Sequence, residues 1–510
     1  MKKTLTARQK VAQMIMIDFP GFFLEDCVKK HLKSIEWGGF ILFAKNIRTP
    51  EELTSLNKEL MGLGYDVPPY ISIDQEGGLV CRVAFDGMHL SPGNMALGRI
   101  GDEDLTDKLC TISGVELRKF GFHLTFAPVA DVNVNPENPI IGVRSFGENP
   151  EMVSKLTSAS VRGYEKAGIA SCAKHFPGHG DTSFDSHLSL ASVNAAIERI
   201  NQVELPPFYA AVSSGVPSIM TAHVMFPAIE DCNIPATLSK KILTGLLRKK
   251  MGFDGLIITD SMAMKAISDN FGIGEAAVMS VNAGADVVMM CGEPAAQLEA
   301  HAAILQALQE GRINEDTIDR AVERILRFKE RYVINPPAAP ELSPEDMEEA
   351  VEKASRRAST VLYDNTNVLP VSPEGRRAVV FSPDRLYATM LGEKINNYSI
   401  FPLLREVFIL TDKITYNIDN PSRELIDSLS FSNSEVIFIE LYSRGMLSEK
   451  NKKFAVDIIN RAKEQTIPVI IISLSSPYGI PLEADAAVTG YNYSTQSLRA
   501  VRDLICKRVP

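Results

Sequence analysis

This chain lacks any ordered pairing of cysteines. Its seven, Cys27, Cys81, Cys110, Cys172, Cys232, Cys291 and Cys506, are odd in number, scattered, and nowhere spaced as Cys-x-x-Cys. That argues against a disulfide framework and predicts reduced thiols in a core. No apolar run is long enough to span a bilayer. The opening MKKTLTARQKVAQ reaches Arg8 and Lys10 before any apolar stretch, so it has no signal-peptide core, and a cytoplasmic protein with no membrane partner is expected. Positive charge is also short: 53 Lys and Arg stand against 63 Asp and Glu, for a net charge of −10. With no basic cluster interleaved with aromatics, nucleic acid is not an expected partner. No Gly-x-Gly-x-x-Gly and no P-loop occurs, so no cofactor is expected. Internal repeats and low-complexity segments are missing too.

What is present is ordinary for a soluble globular enzyme: 45% hydrophobic and 23% charged residues over 510 positions, enough for two to four domains. Short apolar runs alternate with amphipathic stretches. Val11–Phe19, Gly38–Phe43, Tyr70–Asp74, Leu124–Val129, Gly168–Ala173, Ser218–Ala222, Gly255–Thr259 and Ala285–Met290 read as eight strands. Helices are expected after Thr49-Pro50, where a polar cap precedes a first-turn proline, and near residues 103 to 119. Eight continuous apolar strands separated by helices over about 330 residues predict an α/β fold with a (β/α)8 TIM-type barrel, rather than an open doubly wound sheet. Polar residues recur just past the strands: Asp74, Asp131, Lys174-His175, Thr221-Ala-His223 and Asp260. In a barrel such ends converge on one face, where active sites sit.

The densest cluster is AKHFPGHGDTSFDSHLSLAS, residues 173 to 192. It holds His175, His179 and His187, three of eight histidines, with Asp181, Asp185 and Lys174. Alternating glycine and proline exclude helix and strand beyond His175, leaving a long polar loop on a strand end. A metal site is disfavoured, since neither a helical His pair nor a nearby Cys partner is present. Two readings remain at this level: a solvated loop with incidental histidines, or an Asp185–His187 dyad in which the carboxylate orients the imidazole for proton transfer near neutral pH.

After residue 330 the texture changes. INPPAAPELSP is a proline-rich stretch of the semi-rigid kind, followed by a charged amphipathic helix over 347–359. Apolar strands at 359–363, 378–381, 407–410, 436–440 and 467–472, with a helix over 451–464, predict a second α/β unit with a mostly parallel sheet. It has no histidine and no converging acids and bases, which favours a structural or oligomerising role. The expected division is a barrel over 1–335, a linker over 336–345 and a smaller C-terminal domain over 346–510.

Lys-His-Phe-Pro-Gly-His-Gly followed by Asp-Ser-His resembles the β-N-acetylglucosaminidase branch of glycoside hydrolase family 3. Val11-Ala-Gln-Met, Ile73-Asp-Gln-Glu-Gly-Gly with Arg82, Phe126-Ala-Pro-Val-Ala-Asp-Val-Asn, Arg144-Ser-Phe-Gly and Thr259-Asp260-Ser-Met-Ala-Met match further segments of that family. Val143 stands where the family usually has Asp, and Ser-Met-Ala-Met replaces a commoner acidic version. The resemblance implies a C-terminal α/β sandwich domain, to which Ser475-Ser-Pro-Tyr and Tyr491 belong. It implies Asp260 as nucleophile, Asp185 with His187 as acid/base, and Asp74, Arg82, Arg144, Lys174 and His175 as sugar-binding residues. It implies a retaining, exo-acting enzyme of the peptidoglycan-recycling type, acting on a small carbohydrate with neither metal nor cofactor. Phosphorolysis stays open beside hydrolysis, because a histidine does not repel an incoming phosphate as a carboxylate does. The glucosidase and xylosidase branch is the other rival, and it lacks the histidine loop. The aglycone and the choice between monomer and homodimer are not legible.

Overall fold

A computed structural model describes residues 5–182, 190–387, 394–395, 398–427, 431 and 434–506. Eight parallel strands form the first sheet: β1 (Ile15–Ile17), β2 (Gly39–Leu42), β3 (Tyr70–Ile73), β4 (Leu124–Thr125), β5 (Ala170–Phe176), β6 (Ser218–Thr221), β7 (Leu256–Thr259) and β8 (Val288–Met290). They run in the order β7-β6-β5-β4-β3-β2-β1-β8, and a parallel bridge from Ile258 to Val287 joins the two ends into a ring. Every residue of these strands is buried. Helices cover the outer face and side chains fill the inner one, which is why the strands read as unbroken apolar runs.

Local chemistry sets the helix starts. Thr49 accepts from the Glu52 amide ahead of the helix Pro50–Met61, and Asp102 accepts from Leu105 ahead of Glu103–Lys119. Val11–Gln13, expected at the start of the first strand, instead ends a helix, Ala7–Gln13. Thr6 and Gln9 form a reciprocal capping box there, and the strand begins only at Ile15. The fourth strand is shorter than its apolar run because Pro128 has no N–H to donate.

The departure that matters is in β5. The strand carries Lys174 and His175 at its end, as expected, and runs one residue further, to Phe176. Against β6 its register slips: Ala173 pairs with Ile219 and Phe176 with Thr221. Three steps on β5 thus oppose two on β6, leaving one extra residue. Such a bulge re-aims side chains beside the irregularity. Lys174 and His175 occupy it.

A second sheet follows, of strands β9 (Thr360–Asp364), β10 (Arg377–Pro383), β11 (Ile409–Tyr416), β12 (Val436–Leu441), β13 (Val469–Ser473) and β14 (Ala486–Thr489), ordered β9-β14-β13-β12-β10-β11. All neighbours are parallel except β9 with β14. The last strand, four residues rich in alanine, is not among the expected ones. Helix Pro344–Ala358 buries Met347, Ala350, Val351 and Ala354 among Leu97, Leu105, Leu109 and Ile112 of the barrel helices. Its apolar stripe therefore joins the second sheet to the barrel.

Candidate active site

The polar residues past the strands meet at the C-terminal mouth of the barrel. Asp74 follows β3 directly, and Gln75–Gly77 then pairs antiparallel with Val80–Cys81 as a small hairpin. Alternate residues of an extended chain share a face, so Asp74 and Glu76 point the same way. The Lys174 ammonium lies between them, 2.7 Å from Asp74 Oδ1 and 2.6 Å from Glu76 Oε1. Arg144 clamps Glu76 from the other side with two parallel bonds, Nη2 to Oε1 at 2.8 Å and Nε to Oε2 at 2.9 Å. Lys174 is 2% exposed and Glu76 5%. Burial pushes the Glu76 carboxyl up, but Arg144 and Lys174 outweigh it and hold it well below the usual carboxylate range. Lys174 is raised despite its burial, because Asp74 and Glu76 favour its charged form.

His175 extends this chain of charges. Its Nδ1 lies 2.8 Å from Asp131 Oδ2, and its Nε2 lies 3.5 Å from Arg144 Nη2. A carboxylate only accepts, so Nδ1 carries the hydrogen, and Nε2 faces the guanidinium N–H as an acceptor. Asp131 is fully buried and also accepts the backbone N–H of His175 at 3.1 Å and of His179 at 2.7 Å. One carboxylate thereby ties β5 to the first turn of the histidine loop. His179 is buried, with Nδ1 2.9 Å from Thr182 Oγ1. Burial first, then the neighbouring His175, lowers it to about 4, so it is neutral at ordinary pH. The start of the loop is packed interior, not solvated surface.

Asp260 follows β7, with its Oδ1 accepting the Ser261 amide at 2.7 Å. His223, after β6, is 3.0 Å from the Ser261 carbonyl through Nε2 and 2.8 Å from Thr237 Oγ1 through Nδ1. Both its nitrogens are occupied, so it braces the segment that carries Asp260. The Cys291 thiol, just past β8, is pushed up by burial and by the carboxylates of Asp18, Asp260 and Asp74 around it. Arg82 is set by the hairpin: Gln75 Oε1 accepts its backbone N–H at 2.8 Å and that of Val83 at 3.0 Å.

Asp74, Lys174, Arg144 and His175 thus form one network at the mouth, connected through Glu76, with Arg82 at the end of the hairpin and Asp260 past β7. Asp185 and His187 lie outside the described residues. Sequence reasoning missed Glu76, the buried anion on which Lys174 and Arg144 both rest. The two-residue spacing from Asp74 was its available signal. It also left Asp131 without a partner, and no sequence signal pairs it with His175. Among the described residues, the grouping with metal-like spacing is Glu230, Asp231 and Cys232, where the Lys241 ammonium already pairs with both carboxylates.

The second sheet's loops reach this site from outside. A β-carbon on Gly142 would stand 2.2 Å from the Arg444 carbonyl, and one on Gly445 would stand 2.5 Å from that of Asn138. The two loops fit only because both positions are glycine. Tyr478 Oη donates to Glu148 at 2.6 Å. These contacts fall on both sides of Arg144 and hold the segment that carries it.

Residues 6–328 match the glycosyl hydrolase family 3 N-terminal domain. The chain is 33% identical to beta-hexosaminidase A of Pseudoalteromonas piscicida, over 78% of this chain and 73% of that protein. It is 36% identical to a beta-hexosaminidase of Neisseria meningitidis serogroup C, over 55% of this chain and 78% of the relative. In three dimensions it is similar to the family 3 beta-N-acetylglucosaminidase of Paenibacillus sp. strain FPU-7. The TM-score there is 0.90 and the identity 35%, covering 99% of this chain and 98% of that one.

Proposed function

Since this chain belongs to glycosyl hydrolase family 3, we propose that it is a retaining, exo-acting β-N-acetylglucosaminidase that releases terminal N-acetylglucosamine from β-linked amino-sugar conjugates such as muropeptides or chitooligosaccharides. The observation that carries the reading is the network at the mouth. Asp74, Lys174, Arg144 and His175 present charged donors and acceptors at fixed distances, the pattern that holds the hydroxyls of one sugar ring. The relatives' printed activities support an amino sugar in that place.

In this mechanism Asp260 attacks the anomeric carbon as its bond to the aglycone oxygen breaks, forming a glycosyl-enzyme ester. His187, oriented by Asp185, gives its proton to the departing oxygen. It then takes a proton from the water that displaces Asp260. A histidine needs no large shift for this, since its unperturbed pKa is about 6.5. Arg82 completes the ring of sugar contacts. We keep residues 1–335 as the catalytic unit, 336–345 as the linker and 346–510 as the supporting domain. No helix among the described residues is long and apolar enough to cross a membrane. All seven cysteines are unpaired, which supports a cytoplasmic enzyme.

The test is kcat/KM on 4-nitrophenyl N-acetyl-β-glucosaminide against the glucoside and xyloside, with and without millimolar phosphate. The amino sugar should be at least tenfold better, a demand of about 1.4 kcal/mol on the transition state. Free sugar should dominate the products. Equal or reversed rates would refute the substrate, and a sugar 1-phosphate as main product would make the enzyme a phosphorylase.

A further inference from the structure

Beneath the histidine loop lies a carboxylate that this mechanism does not use. Glu204 sits between the helices Ile197–Gln202 and Pro206–Ser213 and is 2% exposed. Its side chain packs against Gly178, where a β-carbon would stand 2.9 Å from Cβ and Cγ of Glu204. Its Oε1 accepts from Arg199 Nη1 at 2.5 Å, and the same Nη1 donates to Asp181 Oδ2 at 3.2 Å. Its Oε2 is buried and has no hydrogen-bond partner among the described residues. Two residues beyond Gly178, Gly180 presses on the Val132 carbonyl, 1.8 Å from where a β-carbon would be. The turn is therefore held from both sides, by backbone next to Asp131 above and by Glu204 with Arg199 below.

A half-satisfied buried acid is a costly way to fill space, and a glutamine or an apolar side chain would serve packing better. We propose that Glu204, acting through Arg199, is a positioning residue for the turn Gly178–Thr182, and that its ionised form holds this turn in the arrangement catalysis uses. The proposal rests on the reading above, in which the chain just after Thr182 carries the acid/base pair.

The electrostatics agree with the geometry. Burial raises the Glu204 carboxyl to about 7, against the pull of Arg199 and with a smaller push from Asp181. Arg199, from the preceding helix, and Asp181, from the loop, are the charged groups facing it among the described residues. Ionised, Glu204 keeps Arg199 between two carboxylates. Protonated, it surrenders that attraction, and Arg199, about a third exposed, turns toward water. The sign for stability is opposite. The folded value stands above the ordinary 4.5, so this group's contribution to stability falls as pH rises from 4.5 to about 7. Above pH 7 the ionised acid thus weakens the fold while it orders the loop.

The experiment compares wild type with E204Q, R199Q and R199K. Glutamine copies the protonated acid. At pH 8, E204Q should lose tenfold or more in kcat on 4-nitrophenyl N-acetyl-β-glucosaminide with KM within twofold, yet melt no lower than wild type. At pH 6, where wild type is already mostly protonated, the two should agree within threefold. R199Q keeps the test decisive if E204Q does not fold, and should show the same kcat loss at pH 8, with R199K restoring activity to within threefold. Amide hydrogen exchange over residues 176–182 at pH 8 should be tenfold faster in E204Q and R199Q, with other segments unchanged. That readout needs no catalysis. A wild type inactive on amino sugars would sink the functional reading while exchange still decides this one. Unchanged exchange in both variants overturns the proposal. So does a kcat loss that is equal at pH 6 and pH 8.

Discussion

Glu76 is the most heavily committed side chain at the barrel mouth, and its removal gives the sharpest test of the network. Its side chain is 1% exposed and accepts three charge-assisted bonds, from Arg144 at 2.8 and 2.9 Å and from Lys174 at 2.6 Å. Glu76→Ala leaves a half-buried guanidinium and a buried ammonium, with Asp74 as the remaining neighbouring anion on Lys174. Breaking a buried pair by removing one partner costs about 3–5 kcal/mol, and with Lys174 still paired to Asp74 this variant falls at the lower end. Glu76→Gln keeps the shape and one acceptor but loses the charge, a loss of about 1.5–3 kcal/mol. The pH dependence has a definite sign. The Glu76 pKa is depressed in the fold, so its contribution is fully present above the ordinary 4.5 and disappears as pH falls through its lower folded value. The gap between wild type and either variant should therefore be constant from pH 5 to 8 and close only in stronger acid. The lone tryptophan, Trp37, is fully buried in the barrel core, so its fluorescence in urea reports barrel unfolding. With Arg144 and Lys174 displaced by about an ångström, kcat/KM should also fall by roughly 10²-fold. A Glu76→Ala protein within about 1 kcal/mol of wild type, with unchanged KM, would refute the reasoning.

Three further outcomes are expected. Asp260→Ala should slow every substrate alike, whatever its leaving group. His187→Ala should spare a dinitrophenyl glycoside while losing on the order of 10²- to 10⁴-fold on a basic alkoxide leaving group, and azide should rescue it as a β-glycosyl azide. Equal losses on both substrates with no azide effect would make the loop a binding element. Asp131→Asn should destabilise by about 1–3 kcal/mol, because an amide N–H₂ then faces N–H donors. It should also move the His175 hydrogen from Nδ1 to Nε2, seen in imidazole nitrogen shifts, and an unchanged tautomer would overturn the role given to Asp131.

Much of this was legible in the chain itself. Eight apolar runs separated by helices favoured a closed parallel barrel over an open sheet, and the polar residues after five of them marked the face where chemistry collects. The Pro177-Gly-His-Gly180 stretch had to leave the strand for a loop, since its proline and glycines disfavour regular structure. Local rules also placed the helices at Pro50 and Glu103, because caps and first-turn prolines act over four residues or fewer. The first strand was misread where two local signals compete: an apolar run that looks extended and a Thr6–Gln9 capping box that makes it helical.

What sequence could not supply was pairing. Asp131 and His175 are 44 positions apart, Glu76 and Arg144 are 68, and Lys174 and Asp74 are 100. Nothing in a one-dimensional string says which acid meets which base when several lie on strand ends. The one-residue bulge in β5 is likewise a property of two strands, not of one, and it brings both Lys174 and His175 into the network. The raised acid of Glu204 belongs here too, because burial depends on what the rest of the chain packs above it. Composition, periodicity and turn chemistry act over a few residues, so the sequence alone determined the fold class and the candidate groups. Charge pairing and burial act through space, so only the tertiary structure decided which of those groups hold one another.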